Sequence, residues 1–125
     1  ETVGPAIVVS HSQAGVFAMR TAFEMPEHVR AVVALEPASI PLLDESSGVY
    51  ATRSLFVMGD NMETDKRWPH MRKRLQAFRQ AHSSIDWLSL PDRGMYGNSH
   101  MLMMDRNSLE VADLVSQWLD AEFGK

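Results

Sequence analysis

Apolar residues fall along the chain in two patterns, short runs of mainly apolar residues and longer stretches with a helical repeat. The short runs are rich in Val, Ile, Leu and Ala, which is typical of strands in a parallel sheet covered on both faces. They predict strands over residues 6–9, 29–35, 54–58 and 85–90. We expect the first of these strands to be buried on both faces.

Apolar residues spaced three and four positions apart predict the helices. The first helix is expected from about Gln13 to Glu24 and is ended by Pro26. The second contains the stripe Trp68, Met71, Leu75 and Phe78. The last begins near Asn107, where Asn107 followed by Glu110 resembles a capping box.

The order of these elements predicts the fold class. Strands and helices alternate as β-α-β, a loop, β-α-β, a second loop and a final helix, which indicates an α/β fold. Right-handed crossovers would then place helices on both faces of a mainly parallel sheet of about four strands. Residues 37–53 mix Pro, Ser, Gly and acidic residues, and we expect a short lid or loop there.

The composition narrows the classes of function. The 125 residues contain no Cys, which excludes a disulfide scaffold, a Cys-based zinc site and a thiol nucleophile. The net charge of −4 disfavours general nucleic-acid binding, because neutralising phosphates requires clustered Lys and Arg. No apolar run approaches the ~20 residues of a membrane span. Neither a metal-ligand spacing nor a Gly-rich phosphate loop is visible, so we expect no metal and no cofactor.

The sharpest chemical signal is the turn after the first strand, Ser10-His11-Ser12-Gln13-Ala14-Gly15. A nucleophile elbow holds a serine on such a strand-to-helix turn, and crowding requires small residues two positions before and after it. Ser10 and Ala14 are small, although the usual pattern has Gly at both. We therefore predict Ser12 as a nucleophile, with the backbone N–H of Gln13 as an oxyanion donor. The alternative is that Ser12 only caps the helix.

A nucleophilic serine needs a histidine base and an acid that orients it. After an elbow serine the chain order is Ser, acid, His, which favours His100 in the loop that follows the last strand. The other histidines precede that loop: His11, His28, His70 and His82. We expect His11, although adjacent to Ser12, to point elsewhere on the turn. The alternative for His100 is an ordinary surface residue.

Two carboxylates could serve as the acid. Glu36 ends the second strand, and the carboxyl ends of parallel strands face the crevice where such sheets place their sites. Asp60 follows the third strand in Gly59-Asp60-Asn61-Met62, where Met62 stands at the position of the acid in a Gly-x-x-Asp pattern. We favour Glu36, with Asp60 as the alternative acid. A solvated residue at a strand end is the competing interpretation of Glu36.

At this point the sequence resembles the α/β-hydrolase fold, and more narrowly a bacterial esterase subgroup with a Ser-His-Ser-Gln-x-Gly elbow. Three segments carry the resemblance: residues 10–15, Val33-Ala34-Leu35-Glu36-Pro37, and Gly97-Asn98-Ser99-His100 running on to Asn107. Ala14 departs from the usual residue of the elbow but keeps its small size.

The resemblance implies a serine hydrolase that cleaves a carboxylic ester, a small-molecule substrate, through an acyl-enzyme. In it Ser12 would be the nucleophile, His100 the base and Glu36 the acid. It also implies that residues 1–125 form the C-terminal half of one hydrolase domain, without the N-terminal strands and the second oxyanion donor. An N-terminal segment or a second copy of the chain would then complete the domain. The alternative function is a non-catalytic fragment, or half of a two-piece assembly, that retains a relic triad.

Overall fold

Four strands form one parallel sheet in the order β1-β2-β3-β4. The computed structural model describes residues 3–44, 46 and 48–124. The strands are β1 (Ala6–His11), β2 (Val29–Leu35), β3 (Arg53–Met58) and β4 (Ile85–Ser89). The helices are α1 (Ala14–Glu24), α2 (Trp68–Ala81) and α3 (Ser108–Phe123). The predicted α/β class and the parallel four-stranded sheet are confirmed.

Helices cover both faces of the sheet. Because the strand order follows the chain order, right-handed crossovers place α1 and α2 on the same face. Met19 of α1 and Leu75 of α2 share one buried cluster with Phe56 of β3. On the other face, Val111 of α3 joins a second cluster with Val57. Consecutive strand residues therefore face opposite clusters, as the pleat of a strand requires.

β1 is an edge strand and is more exposed than predicted. Within the described part of the chain its one sheet neighbour is β2. Ile7 is 39% exposed and Val9 is 59% exposed. The expectation that this run is buried on both faces is therefore wrong here. The reason is that the cluster under α3 takes its strand residues from β2, β3 and β4 and leaves the outer side of β1 open.

Asn107 does not form the predicted capping box. α3 begins at Ser108, and no side chain caps its start. The Asn107 amide instead exchanges hydrogen bonds with Asn98. Asn98 Nδ2 donates to Asn107 Oδ1 at 2.7 Å, and Asn107 Nδ2 donates to Asn98 Oδ1 at 3.1 Å. A partner nine residues earlier has thus replaced the local cap.

An ion-pair network fastens α3 to the amino ends of β3 and β4. Arg53 Nη2 donates to Asp86 Oδ2 at 2.6 Å, and the same guanidinium pairs with Glu122 of α3. The Trp118 indole N–H donates to the same Asp86 oxygen at 2.7 Å. This network lies at the end of the sheet opposite the carboxyl ends of the strands.

The described residues between β2 and β3 lie in the segment where a short lid or loop is expected. Its described residues form no α-helix and no strand. Tyr50 anchors its end, because the ring is buried and the hydroxyl lies 2.7 Å from Ser54 Oγ. Nowhere in residues 3–44, 46 and 48–124 is a helix both long and apolar enough to cross a membrane.

Candidate active site

Ser12 and Glu36 occupy equivalent places, each one residue beyond the carboxyl end of a strand. Ser12 has φ 55° and Glu36 has φ 44°, and among the described residues no other non-glycine residue has a positive φ. Such a backbone costs free energy and is concentrated at functional sites. The Ser12 N–H donates to Leu35 O at 3.0 Å, and the Glu36 N–H donates to Val57 O at 2.8 Å. The strand pairing therefore continues through both strained residues and holds them in place.

The turn at Ser12 leads from β1 directly into α1. α1 begins at Ala14, two residues after Ser12. A Cβ at Gly15 would lie only 3.2 Å from Pro37 Cβ, so glycine lets the helix approach the turn that follows β2. The first N–H groups of a helix lack partners within the helix. Gln13 therefore presents its backbone N–H directly after Ser12, where a helix start favours negative charge.

Glu36 is fully buried and is hydrogen-bonded to His100. Glu36 Oε2 accepts from His100 Nδ1 at 2.6 Å, and Oε1 accepts the Gly59 N–H at 3.1 Å. A carboxylate oxygen accepts in such a bond, so Nδ1 is the donor, and Nε2 of the ring is left for another partner. The His100 side chain is 34% exposed, whereas Glu36 has no exposed surface. Folding thus brings together two residues that are 64 positions apart.

His11 lies against His100, contrary to the expectation that it points elsewhere. The two ring centroids are 4.6 Å apart. His11 Nε2 also makes a hydrogen bond of 2.7 Å to the backbone oxygen of His100. Because a carbonyl oxygen accepts, that His11 nitrogen is the donor. The position of His11 at the end of β1, next to Ser12, was the available signal for this contact.

Asp60 contacts the backbone of the histidine loop rather than the His100 ring. Its Oδ2 accepts the Gly97 N–H at 2.8 Å, and its Oδ1 accepts the Asn98 N–H at 3.0 Å. These bonds, that from Gly97 above all, hold the pKa of Asp60 below its usual range despite the opposing effect of burial. Of the two candidate acids, the structure brings Glu36 and not Asp60 to the His100 ring.

Asp105 is a second carboxylate at this loop, and the sequence reasoning gave it no role. Its Oδ2 accepts from Asn98 Nδ2 at 2.9 Å and from the Ser99 N–H at 2.8 Å. Its Oδ1 accepts from the Ser99 hydroxyl at 2.6 Å. The Ser99 hydroxyl is the largest cause that holds the pKa of Asp105 below its usual range. The concentration of Asn, Ser and Asp around His100 in the sequence was the signal for such a network.

A cleft of about 770 Å³ gathers the candidate residues at the carboxyl ends of the strands. His11, Ser12, Gln13 and His100 line it. The other lining residues come from the start of α1, the turn after β2, the segment between β3 and α2, and α2 itself: Ala14, Ala38, Ser39, Asn61, Met62, Thr64, Asp65, Arg67 and Met71. A small molecule in this cleft would contact the Ser12 turn and the His100 ring together.

The chain is similar to two known proteins, one solved structure and one curated sequence. No family model matches the chain. The structure described as that of a novel bacterial esterase superposes with a TM-score of 0.83 at 35% sequence identity, over 94% of this chain and 38% of that chain. The sheet and its helices are part of an esterase-like α/β-hydrolase fold. The curated protein "Probable secreted lipase phiG" of a fungal species (strain ATCC 74256) is 26% identical over 173 aligned residues, which cover 98% of this chain and 48% of that protein. The chain therefore spans about half of the length of the lipase and a smaller share, 38%, of the length of the esterase.

Proposed function

We propose that this chain carries the catalytic residues of a carboxylic ester hydrolase, with Ser12 as nucleophile, His100 as general base and Glu36 as acid. The observation that carries the proposal is the 2.6 Å hydrogen bond from His100 Nδ1 to the buried Glu36 carboxylate. Beside it, on the wall of the same cleft, lies a serine at φ 55°. A carboxylate, an imidazole and a serine on a strained turn are the parts that nucleophilic acyl transfer requires.

The acylation step uses the free nitrogen of the imidazole. His100 Nε2 takes the proton from Ser12 Oγ as that oxygen forms a bond to the ester carbonyl carbon. The carbonyl oxygen becomes an oxyanion, and the Gln13 N–H at the start of α1 donates to it. The bond from carbon to the alcohol oxygen then breaks, and His100 returns the proton to the departing alcohol.

The deacylation step repeats this chemistry with water. His100 Nε2 removes a proton from a water molecule, whose oxygen attacks the acyl carbon on Ser12. The second tetrahedral intermediate collapses by breaking the bond to Ser12 Oγ, which regains its proton from His100. The products are a carboxylic acid and the restored serine, so no further co-reactant is needed.

Glu36 has two roles in this cycle, to stabilise the positive charge of the His100 imidazolium and to keep the His100 ring oriented. Each step creates an imidazolium at His100, and a buried carboxylate in contact with Nδ1 stabilises that charge. The Gly59 N–H fixes the other carboxylate oxygen, so Glu36 cannot rotate away from the ring without losing a hydrogen bond. The same contact keeps the proton on Nδ1 and leaves Nε2 free for Ser12.

The comparisons support the reaction class. The relatives that match this chain are described as an esterase and a lipase, and both descriptions refer to hydrolysis of carboxylic esters. Because the chain spans about half or less of those proteins, the activity of the whole protein stands as part of this proposal.

A second candidate is half of a two-piece assembly that is inactive alone. The exposed edge of β1, with Ile7 and Val9 on its surface, favours it, because an open apolar strand edge is a template for pairing. A further segment or a second copy would then cover this edge and supply a second oxyanion donor. Loss of one such donor typically costs about 10²–10³ in rate.

Hydrolysis of p-nitrophenyl acetate by the purified 125-residue chain separates the two candidates. The first predicts turnover that falls to the buffer rate in Ser12→Ala and in His100→Ala. The matched controls are Ser83→Ala and His28→Ala, which alter exposed side chains at the amino end of the sheet and should keep the full rate. A folded chain without turnover favours the second candidate. Turnover that survives His100→Ala contradicts the proposed mechanism.

A further inference from the structure

We infer that Asp60 and Asp105 are positioning residues, which hold the loop around His100 so that its ring stays against Glu36. The importance of this role for catalysis rests on the proposed function. The hold itself rests on the hydrogen bonds that the two carboxylates accept from residues 97–99.

The end of β3 fixes both partners of the histidine–glutamate contact. Gly59 donates its N–H to Glu36 Oε1, and the next residue, Asp60, accepts the N–H groups of Gly97 and Asn98. Two consecutive residues of one strand end thus set the distance between the carboxylate and the loop of the base. Both Asp60 oxygens are occupied in this way.

Asp105 holds the same loop from the side that leads into α3. It binds the Asn98 amide, the Ser99 N–H and the Ser99 hydroxyl. The Ser99 hydroxyl oxygen in turn accepts the Met101 N–H at 3.0 Å. Asn98 lies between the two carboxylates and is only 6% exposed. The backbone on each side of His100 is therefore tied to a carboxylate, directly or through one hydroxyl.

Such a hold matters because this loop has no regular secondary structure, and apart from the two carboxylates it is bound by the Asn107 amide and by His11, which contacts the His100 ring and its backbone oxygen. Residues 95–101 form neither helix nor strand, and Gly97 has φ 77°. The His100 side chain is one-third exposed, so packing alone leaves it freedom to move. A displacement of 1 Å at a reacting group can cost about a hundredfold in rate. Charged acceptors on backbone N–H groups give a stiffer support than neutral ones, since charge-assisted bonds are shorter and stronger.

The test compares Asp60→Asn, Asp105→Asn and Ser99→Ala with wild type. Ser99 is exposed, so Ser99→Ala is the mild variant if either Asp variant fails to fold. The control is Asp92→Asn, which neutralises an exposed carboxylate in the turn after β4. One readout is proton NMR of the His100 Nδ1–H group, whose resonance is expected far downfield of the amide protons. The resonance is assigned to His100 because it should be absent from the spectrum of His100→Ala. A second readout is kcat and KM for p-nitrophenyl acetate.

We expect the resonance in wild type and in Asp92→Asn, and an exchange with water about tenfold faster or more in the three variants. kcat should fall about tenfold with KM nearly unchanged, whereas general destabilisation would lower the melting temperature and leave the kcat of the folded fraction intact. The inference would be overturned if the wild-type protein lacked this resonance. It would also be overturned if the resonance in the three variants had the same line width as in wild type. If the variants lose the resonance and no version hydrolyses ester, the positioning role is supported and the proposed function fails.

Discussion

Glu36→Gln tests the proposed acid with the smallest change in shape. Glutamine has the size of glutamate, but one oxygen becomes an N–H₂ group and the charge is lost. If that nitrogen faces His100, it favours the wrong tautomer of the ring. If it faces Gly59, two donors meet and the hydrogen bond from the Gly59 N–H is lost. We expect kcat for ester hydrolysis to fall by about 10²–10³ with little change in KM.

The size of this loss follows from the contact between the two side chains. With His100 Nδ1 2.6 Å from Glu36 Oε2, the centres of the imidazolium and carboxylate charges lie about 4 Å apart. At an effective dielectric constant of about 20 their attraction is worth about 4 kcal/mol. Each 1.36 kcal/mol corresponds to about tenfold in rate, which gives about a thousandfold. Solvent reaches one-third of the His100 side chain and weakens the attraction, so this figure is the upper end of the range.

Steady-state kinetics on wild type, Glu36→Gln, Asp60→Asn and Glu27→Gln checks the prediction. Asp60→Asn should cost about tenfold, because its effect reaches His100 only through the loop backbone. Glu27 is exposed at the amino end of β2, so Glu27→Gln should behave as wild type. The reasoning is refuted if Glu36→Gln keeps a third or more of the wild-type kcat. It is also refuted if kcat falls further in Asp60→Asn than in Glu36→Gln.

Two further predictions concern the surroundings of the site and the opposite end of the sheet. Gly59→Ala should lower both kcat and the melting temperature, because the new Cβ would lie 2.9 Å from Glu36 Oε1; a variant with wild-type values of both would contradict this. Arg53→Gln should lower the melting temperature at pH 7 by removing the pairs with Asp86 and Glu122. The hydrogen bond from Arg53 lowers the pKa of Glu122, so this stabilisation is present above the unfolded pKa of about 4 and is lost as the pH falls below it. Melting curves from pH 7 to pH 3 should therefore show the gap between wild type and Arg53→Gln closing, and a gap that widens would contradict it.

The central elements of the fold could be predicted because their signals are local. β2 is predicted at its observed bounds, Val29–Leu35, since all of its residues except Arg30 are apolar and both faces of the strand are covered. The stripe from Trp68 to Phe78 likewise predicted α2. β1 has the same local pattern as β2 but lies at the sheet edge among the described residues. The apolar pattern of a strand shows which side chains it could bury. Its position in the sheet, at the edge or inside, decides which of those side chains are covered.

The contacts around His100 could be predicted from the sequence only in part. Ser12, Glu36 and His100 could be singled out because each stands at the end of a strand or in the loop after one. The expectation for His11 is wrong, because its place beside Ser12 in the sequence does not say which loop packs against that turn. Asn107 looked like a helix cap because the cap pattern is local, whereas its partner Asn98 comes from the other side of the histidine loop.

Covalent labelling with a fluorophosphonate tests most directly the central claim, that His100 activates Ser12 as a nucleophile. Reagents of this class react with activated serines and leave a phosphonate ester on Oγ, which mass spectrometry of proteolytic peptides can locate. We predict one label per chain on the peptide that contains Ser12, much slower labelling in His100→Ala, and none in Ser12→Ala. A folded chain that takes no label, or one whose label persists in Ser12→Ala, would contradict the account.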